Sequence, residues 1–221
     1  MPGRHPKSLV IVALGLFLML GGAPSSASGV PSLEAPELAQ GPYSAMHMLL
    51  QKTVLKINVA TIDVRVDRPT QTRFAEVARG QSYSYALDAQ LAAVAIGAAN
   101  AVVQMQFVRD IPLSRWMGVA RDNIDLAREA GLITRDLEQR VSEGIPRWFA
   151  PLADRGYQKG DRLIYAVTPD ALRTVVVSAS GQLLLDLTER EAGSRRVIMS
   201  SYFAPRSDTR ESLIRSLLEK R

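Results

Sequence analysis

The chain carries two histidines, His5 and His47, and no cysteine, and this closes off most side-chain chemistry at the outset. Without thiols it can form no disulfide, thiolate metal site or thiol nucleophile. One or two His residues cannot build the usual zinc, copper or haem centres, and a Ser-His-Asp relay would have to run through a single imidazole. His47 lies between apolar neighbours in SAMHMLLQK, and no Gly-x-Ser-x-Gly elbow occurs in the chain, so it reads as a structural histidine. No catalytic residue, metal site or cofactor is assigned. Two cations close strands, Arg109 in QMQFVRDIP and Arg65, and a strand-end Arg is more often solvated or salt-bridged than a ligand anchor.

These residues are positioned by a chain with ordinary folding signals. Thr53 to Val66 alternates weakly, giving two adjacent strands or one long bent one. Pro69 starts a helix at its favoured first-turn position, and Gly80 stops it. Ser82 is expected to cap a second helix, YALDAQLAAVAIGAA, which is apolar on all sides and therefore core; Asn100 ends it. Ala101 to Val108 is a strand with Val103, Met105 and Phe107 on one face and Gln104 and Gln106 on the other. After Pro112, Ser114 caps a long helix to Ala130, terminated by Gly131. Thr134 opens another helix, which Pro146 ends or kinks, with Trp148 and Phe149 beyond it as a core plug. Tyr202 and Phe203 read as core, and a last helix is set off by Ser207 and Asp208.

The N-terminus has the layout of an export signal: Arg4 and Lys7, an apolar run from Leu9 to Leu20, and small residues at Ser25-Ser26-Ala27, too short a run to span a bilayer. The expected organisation is a signal peptide over 1–27, a disordered spacer over 28–45 rich in Pro, Ser, Gly and Glu, and one domain over 46–221. A periplasmic or secreted protein is implied, with no lipobox cysteine. Loss of the leader takes Lys+Arg from 27 to 25 against 22 Asp+Glu, a net charge of +3. The charges alternate along helix faces rather than forming a stripe, so nucleic acid is not an expected partner. Envelope association and oligomeric state stay open.

Most information sits between Lys159 and Ala204. KGDRLIYAV, TPDA, LRTVVVS, ASG and QLLLDL read as three strands reversed by Pro169-Asp170 and Ser180-Gly181, an antiparallel meander followed by a helix ending in SSYFAP. With QMQFVRDIP and the helix SRWMGVARDNI before it, this order resembles the bacterial branch of the chalcone isomerase-like family, over roughly the last 170 residues. The resemblance implies an α+β fold, an open-faced sandwich in which a mostly antiparallel sheet is covered by helices.

The resemblance also implies where chemistry should lie. Catalytic members close a ring by adding a phenolate oxygen across an enone, which needs a cation beside the nucleophile and donors beside the developing enolate. They take Tyr, Lys and Asn from one helix at i, i+3 and i+7. Anchored on the Pro-Leu before that helix, with a two-residue deletion in the turn, those positions are Trp116, Val119 and Asn123. The family's Arg and Thr near the first core strand fall on Met48 and Ala60, and the polar position of the closing helix falls on Ser201. Relatives that bind fatty acids use an Arg and a Tyr at the two early positions, again Met48 and Ala60. The expectation is a non-catalytic member whose apolar cleft, walled by Trp116, Val119, Asn123 and Ser201 with Arg109 as a substitute anchor, takes a small hydrophobic ligand such as a fatty acid or phenolic compound. An isomerase with altered residues and a structural protein with a closed cleft are the alternatives.

Overall fold

Apolar side chains recurring at every second residue build six strands. They are β1 (Ala45–Lys52), β2 (Ile57–Val66), β3 (Ala101–Phe107), β4 (Arg162–Val167), β5 (Leu172–Val177) and β6 (Leu183–Glu189). They pair in chain order, every neighbouring pair antiparallel. The computed structural model describes residues 45–52, 57–191 and 193–219. The leader and the spacer expected over 28–45 lie outside them except for Ala45, which already belongs to β1. Residues 57–66 form one strand, and β1 adds a further strand that the sequence reading did not separate from its surroundings. The register Met48↔Ile62 puts Met46, Met48 and Leu50 on the same face as Ile62 and Val64.

Six helices follow from the expected breaks: α1 (Arg68–Ala78), α2 (Tyr85–Ile96), α3 (Leu113–Glu129), α4 (Arg135–Trp148), α5 (Ser194–Phe203) and α6 (Arg210–Leu218). Each contributes buried apolar residues to one cluster shared with a single face of the sheet, including Phe74, Leu91, Ile124, Ile145, Val197 and Leu213. The opposite face holds a smaller cluster made of strand residues alone, Val102, Ile164, Ala166, Val175 and Val177. This is an α+β fold, an open antiparallel sheet with its helices on one side.

Local chemistry explains several boundaries. The Asp67 carboxylate caps α1, accepting from the Thr70 amide at 3.0 Å and from the Asn100 amide at 2.9 Å, and so ties the start of α1 to the start of β3. Burial alone would raise the Asp67 pKa, but these hydrogen bonds hold it below the usual carboxylate value. Ser84, not Ser82, caps α2, accepting from the Leu87 amide at 3.1 Å, and α2 ends at Gly97 rather than Asn100. Nor is α2 buried all round: Ala86, Ala89, Gln90 and Ala93 are exposed. In an alanine-rich helix side-chain size carries no period, so its inner face is invisible in sequence. Its buried Asp88 is paired with Arg210 of α6 at 2.6 Å. Pro112 rather than Ser114 precedes α3, with no side-chain cap. Thr134 caps α4, and α4 runs past Pro146 to Trp148.

Two close approaches shape the helix layer over the sheet. A Cβ on Gly144 would meet the Trp148 indole at 2.3 Å, so the bare backbone one turn earlier is the seat of that ring. Gly193, at φ +100, makes the left-handed turn from β6 into α5, where a Cβ would also strike Leu137 of α4 at 2.8 Å. At the start of the meander the buried Asp161 accepts from Arg155 at 2.7 Å and from the Gln158 amide at 2.8 Å, which fixes the Lys159-Gly160-Asp161 turn.

Candidate ligand cleft

Between the sheet and helices α3, α4 and α5 lies a hollow of about 130 Å³. Its floor is the inward face of the strands, with Ile62, Met105, Tyr165, Leu172, Thr174, Leu187 and Glu189. Its roof comes from Trp116, Val119, Ala120, Asn123 and Ile124 of α3, Val141, Ile145 and Trp148 of α4, and Val197, Ile198, Ser201 and Tyr202 of α5. The space beside Asn123 is therefore open rather than filled.

Four of the five residues expected in the cleft line it. Trp116, Val119, Asn123 and Ser201 converge because positions 116, 119 and 123 share one helix face and α5 packs across it. Trp116 does two things at once: it borders the hollow and packs on Phe149 with ring centroids 4.6 Å apart and on Tyr157 at 5.5 Å. Asn123 is half-buried and has no hydrogen-bond partner among the described residues. Ser201 Oγ donates to the Ile198 carbonyl at 2.8 Å, leaving lone pairs toward the hollow. Arg109 is the exception. It is exposed, outside the lining, in the link between β3 and α3. A strand-end cation stays with water when no fold element folds over it. Met48 and Ala60 are buried in the core and do not line the hollow either.

His47 is placed differently from the expectation of an apolar setting. It sits on the outer face of β1, with its ring nitrogen 2.8 Å from Asp63 across the β1–β2 ladder. Tyr202, expected as core, is half-buried and lines the hollow, whereas Phe203 is fully buried.

The walls are not wholly uncharged. Arg115, in the first turn of α3, borders the hollow but is exposed. Glu189, at the end of β6, is on the inward face and has no ion-pair partner among the described residues. Burial in the cleft raises its pKa, opposed by the nearby Ser194 hydroxyl. Ser194 Oγ is itself buried and makes no hydrogen bond of normal geometry among the described residues. Burial pushes the phenol pKa values of Tyr165 and Tyr202 well up. Both therefore stay neutral rather than acting as bases. Sequence reasoning missed Glu189, Thr174, Tyr165 and Trp148. A signal existed for two of them: Thr174 and Glu189 are polar residues in inward positions of strands whose other inward residues are apolar.

No family model matches the chain, and no curated protein matches it. Among solved structures it is similar to the crystal structure of a fatty-acid binding protein of Arabidopsis thaliana, at 11% identity and a TM-score of 0.48, covering 83% of this chain and all of the other.

Proposed function

We propose that the protein is a non-catalytic, chalcone isomerase-like binding protein that holds a small hydrophobic ligand between the sheet and α3. The observation that carries this is the 130 Å³ hollow, bordered mainly by aliphatic and aromatic side chains with a few polar groups converging on it. An engineered apolar cavity of about 150 Å³ is enough to bind benzene. The hollow thus suits a ligand the size of one aromatic ring or a short alkyl chain. Binding rather than ring closure is favoured by the helix face that would supply a phenol and an ammonium, which carries Trp116 and Val119 instead. An indole has no proton to exchange and an isopropyl group no charge. Export by a cleaved leader belongs to the same proposal, and the mass of the chain recovered from a periplasmic fraction tests it.

Both tryptophans of the chain, Trp116 and Trp148, border the hollow, so intrinsic fluorescence reports on the site without a label. Titration with 1-octanol and with octanoate is expected to give a saturable emission change at one site for at least one of them, and its absence with both would overturn the binding proposal. A chalcone mixed with the protein is expected to lose absorbance no faster than in buffer.

A further inference from the structure

Three polar groups of the hollow stand together. Thr174, Glu189 and Ser194 gather where β5, β6 and the start of α5 meet, with Tyr165, the cross-strand partner of Thr174, on β4. Thr174 is 4% exposed and Ser194 2% exposed, and the Ser194 hydroxyl, next to the Glu189 carboxylate, makes no hydrogen bond of normal geometry among the described residues. Buried polar atoms are nearly always paired in folded proteins. Unpaired ones turned toward an apolar hollow are what a ligand's polar end satisfies. The charge at this end is the Glu189 carboxylate, which has no ion-pair partner among the described residues. The only cation among the described lining residues is Arg115, which is exposed and on α3; the register sets the Leu172–Glu189 pair level with Ala101, six residues along β3 from Phe107, roughly 20 Å.

We infer that this end of the cleft is a head-group site for a neutral hydrogen-bond donor, an alcohol or phenol, whose hydroxyl donates to the Glu189 carboxylate and accepts from the Thr174 or Ser194 hydroxyl. The inference rests on the binding proposal and decides between its two ligand classes. A carboxylate head would face Glu189 as a like charge in a poorly hydrated space, and like-charge juxtaposition is a strong means of rejecting a wrong ligand. A hydroxyl meets an acceptor and two donors in the same place. The feature thus selects against free acids while keeping the same apolar walls.

The experiment is the fluorescence titration at pH 8 with 1-octanol and octanoate, which share a chain and differ in head group. 1-Octanol is expected to bind at least about ten-fold more tightly than octanoate. Glu189→Gln keeps the shape and removes the charge, and is expected to shrink that preference to within about two- to three-fold, mainly by improving octanoate binding. Thr174→Val is expected to weaken 1-octanol by about ten-fold through loss of one hydrogen bond. Arg109→Ala, exposed and outside the lining, is expected to leave 1-octanol binding unchanged. Octanoate binding as tightly as 1-octanol to the wild-type protein, or losing affinity in Arg115→Ala, overturns the head-group assignment and leaves the binding proposal standing. Silence of both probes overturns the two together.

Discussion

Val119→Phe tests whether the hollow beside α3 is real working space. Loss of packing around a cavity costs about 24 cal/mol per Å³, so a 130 Å³ hollow represents at most about 3 kcal/mol of forgone packing. Val119 is half-buried and points into it. A phenyl group from that position that fills about half of the space would recover about 1.5 kcal/mol, and for a domain of this size that raises Tm by about 3–6 °C. The same side chain occupies the ligand's place. Differential scanning fluorimetry and the 1-octanol titration read the two effects together: higher Tm and loss of the saturable signal. A lower Tm with an unchanged isotherm would show that position 119 abuts packed protein and that ligand binds elsewhere, and the reasoning about the cleft would fall with it.

The Asp88–Arg210 pair, whose side chains are 10% and 13% exposed, joins α2 to α6; Arg210→Met strands a buried carboxylate and is expected to cost about 3–5 kcal/mol in urea unfolding, whereas Asp88→Leu with Arg210→Met regains most of it. Gly144→Ala forces the Trp148 indole off its seat and is expected to cost about 1–3 kcal/mol, shift the emission spectrum and weaken 1-octanol. Acid should destabilise the protein through Asp67, held low by its cap and Asn100 hydrogen bonds against the effect of burial, and through Asp186, held low by Arg173; their contribution is present at neutral pH and lost as pH falls through their folded values. Glu189 has the opposite sign: burial raises its pKa, so its ionisation opposes folding at high pH. Glu189→Gln is therefore expected to raise Tm at pH 8, with the gain fading as pH drops through the Glu189 folded value, and a gain that grows toward acid would refute the assignment.

Much of the fold was written locally. Period-two alternation in RLIYAV, LRTVVV and the run after Gly181, with turn residues between them, is sufficient to specify the meander, because side-chain direction in a strand depends only on parity. Thr134 as a cap and Gly131 as a stop are equally local. That Trp116, Val119 and Asn123 share a helix face followed from the 3.6-residue period, while their place in a cleft was implied only by the family resemblance. What the sequence could not specify is what each face meets. Arg109 and Arg115 are alike as residues, yet only Arg115 reaches the border of the hollow, since that depends on where α3 begins relative to the sheet. The meeting of Thr174, Glu189 and Ser194 at one end of the hollow exists only once β5, β6 and α5 have come together, and α2's inner face was decided by its neighbours rather than by its alanines. Composition and periodicity determined that there is an α+β sheet with helices and few reactive groups; long-range packing decided that an open hollow survives between them and which end of it carries a charge, because both are properties of contacts between segments distant in the chain.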